Sequence, residues 1–173
     1  MTIHGDHPFL PPEGERSPVR RFRGRLATGV TVWTSAYGGR RAGLTVSSMM
    51  VADGDPARLL ALIDPDSDLW EVLAESETVA VSVLGYDDRA LAEAFAGVAP
   101  APGGPFRLGS WIETEWGPVL DSAYPWAGGR LLDDGTREVG WALLVEAVLE
   151  HVDLRTADSG YLTHHRARYH RLD

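Results

Sequence analysis

The sequence predicts a mainly β fold of the α+β class: an antiparallel β-barrel, closed or half-closed, with helices at its periphery. Three observations predict it. At least six short segments are rich in β-branched residues and bounded by Gly, Pro and Asp. Most of their connections are too short for a parallel crossover, so neighbours should pair antiparallel. Only about three segments carry helical spacing with end signals.

Taken in order, residues 1–16 hold Gly5, Pro8, Pro11, Pro12 and Gly14 without periodicity and read as a flexible tail before one domain over 17–173. Ser17-Pro18 reads as a helix start, with Val19, Phe22 and Leu26 on one face and Gly29 as the stop. VTVWTS (30–35) reads as a strand, YGGR (37–40) as a turn, and AGLTVSSMMV (42–51) as the returning strand of a hairpin. RLLALI (58–63) is a short strand. SDLWEVLAES (67–76) is a helix capped by Ser67 or Asp68. TVAVSVLG (78–85) is a strand with Val79, Val81 and Val83 on one side, and DRALAEAFAG (88–97) is a helix closed by Gly97.

Residues 98–110 form a loop of the length seen in functional lids. Residues 111–135 mix strand-like pieces with turns, and Asp134-Gly135 is a hairpin signal. The stretch 139–154 is helical by propensity and a strand by alternation; the preceding Asp-Gly favours the strand. Residues 160–173 read as one further strand.

Composition removes whole classes of chemistry. The chain has no cysteine, so disulfides, thiolate metal sites and thiol catalysis are excluded. All 16 basic residues are arginine, which excludes lysine Schiff bases and a Walker-type phosphate loop. With 25 acidic residues the net charge is −9, unfavourable for a nucleic-acid partner. The one basic cluster, Arg16 to Arg25, reads as a solvated helix face or a local anion patch. No apolar run is long enough to span a bilayer, and no secretory leader is visible, so a cytoplasmic, membrane-free protein is expected. His164 and His165 are adjacent on a strand and point to opposite faces, so no metal site is expected. Trp111, Trp116 and Trp126 lie in or near the loop-rich region and are the tryptophans best placed for a lid.

One segment poses a question. In GLTVSSMMVADGDP (43–56), Thr45, Ser47 and Ser48 gather where a strand ends. Buried hydroxyls need partners; a following turn or a bound molecule could supply them. ATGVTVWTS followed by GLTVSSMMVADGDPARLLALID, then VAVSVLGYDDRALAEAFAG, WGPVLDSAYPWAGGRL and YLTHHRARYHRL, together resemble the flavin reductase-like, FMN-binding split-barrel family over about residues 17–172. The resemblance implies an antiparallel split β-barrel and a homodimer with flavin at or near the subunit interface. It implies hydride transfer from NADH or NADPH to FMN or FAD, and a monooxygenase component as a possible partner. An alternative is a non-enzymatic flavin-binding dimer, an electron carrier or store. The resemblance places Thr45, Val46, Ser47 and Ser48 along the flavin ring, and Ser67 with the amides near Leu69 at its phosphate. It sets His165 beside flavin or nicotinamide as the candidate catalytic residue, with Arg168 nearby. Three departures stand out. Asp64, Asp66 and Asp68 crowd the expected phosphate segment; Gly140 stands where many relatives have a histidine; Ala167 replaces a common glycine.

Overall fold

Two glycines set the first hairpin. Gly38 and Gly39 lie at φ 57° and 80°, the left-handed conformation that both central residues of a type I′ turn require. They join β2 (Thr31–Tyr37) to β3 (Arg40–Val46), with Tyr37 opposite Arg40. The structure, a computed structural model, describes residues 17–157 and 160–173; the expected tail at 1–16 lies outside them.

The main sheet has seven strands in the order β3-β2-β6-β9-β10-β5-β4, where β4 is Met49–Ala52, β5 Arg58–Ile63, β6 Thr78–Val83, β9 Trp126–Val139 and β10 Ala142–Asp153. Every neighbouring pair is antiparallel. The two edge strands are β3 and β4, yet only Ser47 and Ser48 separate them in sequence. Three Cα steps reach about 11 Å at most. The sheet therefore curls until its edges almost meet, giving the half-barrel expected. Hydrogen bonds hold the seam: Leu62 N–H donates to Ser48 O at 3.2 Å, and the Thr31 hydroxyl donates to Val46 O at 2.7 Å.

Inside the curl, Trp33, Leu59, Ile63, Val81, Val145 and Ala147 are fully buried. Helix α2 (Asp68–Ser76) covers this core with Leu69 and Leu73, both inaccessible to solvent. Its N-cap is Ser67, whose hydroxyl accepts from Trp70 N–H at 3.3 Å. A second cluster gathers Val30, Val32, Leu84 and Leu162 beneath α3 (Arg89–Phe95). Two small sheets flank the barrel: β7 (Trp111–Thr114) with β8 (Gly117–Leu120), and β1 (Thr28–Gly29) with β11 (Tyr161–His165) and β12 (Arg168–Leu172).

Several expectations need correction. The single strand over 42–51 is two strands on opposite sheet edges, because the chain changes partner at Ser47–Ser48. Asp134-Gly135 is not a turn: it lies within β9, in a bulge between the pairs Thr136–Val145 and Leu131–Ala147. The β9–β10 turn is Gly140-Trp141, with Gly140 at φ 60°. The last segment is a hairpin turning at Arg166 and Ala167, both at positive φ. Helix α1 (Pro18–Arg23) stops at Gly24 rather than Gly29, and it leaves Val19 and Phe22 exposed. Phe106 pins the 98–110 loop, its ring 5.0 Å from Phe95 and 4.9 Å from Trp111. Trp116 and Trp126 do not form a lid either; they clamp His151, with centroids at 5.0 and 4.4 Å.

Candidate functional site

The hydroxyl segment divides into a covered part and an open part. At Gly43 the missing side chain makes room for α3: a Cβ there would stand 2.6 Å from the Phe95 ring. Thr45 is tied to the same helix, its hydroxyl donating to Ala92 O at 2.6 Å. Val46 is buried in the core. These three positions answer to the protein's own packing. Beyond them the strand leaves α3. The Ser48 hydroxyl is exposed and donates to Leu62 O at 2.8 Å, which leaves its oxygen lone pairs free to accept. Ser47 is half-buried, and its hydroxyl has no partner among the described residues. Met49, two residues after Ser47, lines a wholly apolar cavity of about 220 Å³ with Val51, Leu59, Val81, Val83 and Trp126. A polar edge thus adjoins an apolar bed at the barrel seam. A planar ring system with one polar border needs both.

The register carries the 64–68 turn to the same seam, since Ser48 bonds to Leu62 and the turn follows Ile63. The Ser67 hydroxyl, however, is spent on the fold: it caps α2 and donates to Asp64 O at 2.7 Å. The Leu69 side chain is core. What this turn offers a ligand is the backbone amides of the helix start, under three carboxylates. Beside it lies a shallow cavity of about 170 Å³ lined by Pro65, Glu138, Gly140, Trp141, Ala142 and Leu143. Trp141 is 91% exposed there.

His165 and Arg168 belong to the second group of expected site residues. They are cross-strand partners in the β11–β12 hairpin. The hairpin reaches the seam where β1 runs into β2: Gly29 pairs with Thr163, and two residues on, Thr31 pairs with Val46. Two residues of strand cover about 7 Å. Thr163, on the same face as His165 by alternation, has a buried hydroxyl without a partner among the described residues. Burial, then the charges of Arg23, His170 and His165, hold the His164 imidazole below its ordinary pKa. Burial and the Glu93 carboxylate push the Tyr169 hydroxyl up to about 12. Tyr169 therefore remains a neutral group. Neither Thr31 nor Thr163 stands out in the sequence: their roles come from pairings with distant strands. Arg23 is visible only as one member of a basic run. Among the described residues no cluster of His, Asp and Glu is arranged to hold a metal ion.

Known proteins show the same architecture. The sequence profile of the family described as "Flavin reductase like domain" matches residues 23–173. The chain is 26% identical over 162 residues to the 4-hydroxyphenylacetate 3-monooxygenase reductase component of Pseudomonas aeruginosa, covering 92% of this chain and 94% of that protein. It is 32% identical over 110 residues to the FMN reductase (NADH) RutF 1 of Methylorubrum extorquens, covering 63% of this chain and 54% of that one. The fold superimposes on the NADH:FAD oxidoreductase SgcE6 of Streptomyces globisporus with a TM-score of 0.80 at 22% identity, covering 95% and 97% of the two chains. A curled antiparallel sheet with a polar seam, a covering α3 and a closing hairpin, matched by one profile across nearly its whole length, makes this chain a member of the flavin reductase-like family.

Proposed function

We propose that the protein is a flavin reductase that passes hydride from NADH or NADPH to FMN or FAD, as the reductase component of a two-component monooxygenase. The observation that carries this is the seam. There the Ser47 hydroxyl stands half-buried without a partner among the described residues, one residue from Ser48 and two from the apolar cavity that begins at Met49. Ser47 and Ser48 would hold the polar border of the flavin ring, and the strand-end backbone adds donors where negative charge gathers on reduction. Bound flavin supplies the hydride chemistry; the chain supplies orientation and shelter from water. His165 and Arg168 would meet the nicotinamide nucleotide from the hairpin. The relatives support the reading, one being named a monooxygenase reductase component and another an FMN reductase using NADH.

The protein is proposed to act as a homodimer. Strand β5 is apolar on both faces: Leu59, Ala61 and Ile63 are core, while Leu60 and Leu62 point outward. Their outer neighbours are Met50 on β4 and Leu144 on β10. A sheet face meant for water alternates with polar residues; this one needs a cover, and a second copy provides it.

The experiment is direct. Purified protein supplied with FMN or FAD should oxidise NADH or NADPH, and it should show flavin absorbance after gel filtration or saturable flavin binding. Bound flavin without nucleotide oxidation would instead assign an electron carrier or store.

A further inference from the structure

The chain is strongly acidic, with a net charge of −9, yet one flank is not. Segments 17–29 and 161–173 carry seven arginines, Arg20, Arg21, Arg23, Arg25, Arg166, Arg168 and Arg171, with a single carboxylate side chain, Asp173, which pairs with Arg171. The fold brings the two segments together. The Arg166 amide donates to the carbonyl of Gly24, the residue between Arg23 and Arg25, at 2.6 Å. β1, which follows α1, pairs with His164 and Thr163 of β11. Arg23 is also close enough to His164 to depress the latter's protonation.

None of the other six arginines has an ion-pair partner among the described residues. Most arginines on the barrel strands do, Arg137 on β9 being the exception among the described residues. Arg40 meets Glu71 at 2.8 Å, Arg58 meets Glu146 at 3.3 Å and Arg130 meets Glu150 at 3.1 Å. Part of the α1 charge suits the end of a helix dipole, but Arg166 and Arg168 lie on no helix. Clustered like charges repel and cost stability, and α1 buries no residue that would offset this. An anion seated among the guanidinium groups would relieve the repulsion and take charge-assisted bonds. The other expected phosphate position, at Ser67, is occupied by capping bonds and crowded by Asp64, Asp66 and Asp68.

We propose that α1 and the β11–β12 hairpin form a binding site for the phosphate groups of the redox nucleotides, with Arg23 and Arg166 at its centre. The identity of the nucleotide rests on the reductase reading; the anion chemistry does not. Phosphate could come from the pyrophosphate of the nicotinamide dinucleotide or from the flavin tail, and three probes separate these: ADP-ribose, FMN and riboflavin, which has no phosphate.

The test compares wild type with the double variant Arg23→Gln/Arg166→Gln by calorimetry and flavin fluorescence. A guanidinium–phosphate contact of about 1.5 kcal/mol or more corresponds to about tenfold in affinity. The expected result is a Kd raised about tenfold for ADP-ribose, for FMN or for both, with riboflavin binding unchanged and a wild-type melting curve. A loss for ADP-ribose assigns the site to the dinucleotide; a loss for FMN assigns it to flavin. Added salt should weaken the wild-type interaction more than the variant's. Arg23→Gln alone, on an exposed helix, guards against misfolding and should show a smaller loss in the same arm. Arg40→Gln, which breaks a barrel ion pair, should leave all three affinities unchanged. Wild-type Kd values for all probes in the double variant would overturn the proposal, as would a parallel loss of riboflavin. If no NADH or NADPH is oxidised but the probe difference persists, the reductase reading fails and the anion site stands.

Discussion

The barrel and the flank formed by α1, β1, β11 and β12 use polar groups in opposite ways. In the barrel most are consumed, the buried Trp33 indole N–H being an exception among the described residues. Thr34 donates to Pro118 O at 2.5 Å, Ser35 meets Ser76 at 2.6 Å, and Thr45 is bound to Ala92 O. On the flank, six of the seven arginines and the Thr163 hydroxyl have no side-chain partner among the described residues. Satisfied groups fix a shape; unsatisfied ones mark where a shape awaits something else. Ser47 and Ser48 lie at the border between the two regimes. They sit where the chain passes from one edge of the main sheet to the other.

The sharpest way to break this contrast is to damage the barrel. Leu69→Ala would empty a fully buried position between α2 and the curled sheet. It should cost about 2–5 kcal/mol of unfolding free energy in urea titration. A loss below about 1 kcal/mol would mean that α2 is not the cover of this core.

A smaller effect is expected at Thr45. Thr45→Val removes the donor to Ala92 O and should cost about 1–3 kcal/mol, with flavin affinity close to wild type. If flavin binding fell while stability held, the hydroxyl would belong to the ligand rather than to α3, and the boundary between covered and open positions would move.

The smallest effect concerns the flank and pH. His164 is held neutral by burial and neighbouring cations, below its ordinary value of 6.5. Below pH 6.5 the unfolded chain takes a proton that the folded chain resists, so stability should fall as pH falls. Above 6.5 both states are neutral there and this contribution is complete. Unfolding at pH 7.5 and pH 5.5 should show the decline, and His164→Phe should flatten part of it. An unchanged slope in the variant would place the acid sensitivity elsewhere.

Local signals made much of this fold legible. Strand β5 runs over the same residues that its apolar pattern marks, and α2 begins at the expected Ser67 cap. Both depend on neighbours in sequence. The failures depend on distant partners or on turns without turn residues. Nothing in GLTVSSMMV shows that its two halves pair on opposite sheet edges. Arg166-Ala167 turns a hairpin without Gly, Asn or Asp, so no signal divided the last segment. The site was half legible for the same reason. Hydroxyls at Thr45 and Ser47 look equivalent in sequence; a carbonyl 47 residues further on, at Ala92, sets them apart.

The seam's role can be measured in one titration. FMN added to wild type and to Ser47→Trp, followed by flavin fluorescence with melting curves in parallel, isolates the open edge from the packed one. The prediction is saturable binding by wild type and a loss of about tenfold or more in the variant, with an unchanged melting curve. Equal affinities in two equally stable proteins would show that flavin binds elsewhere.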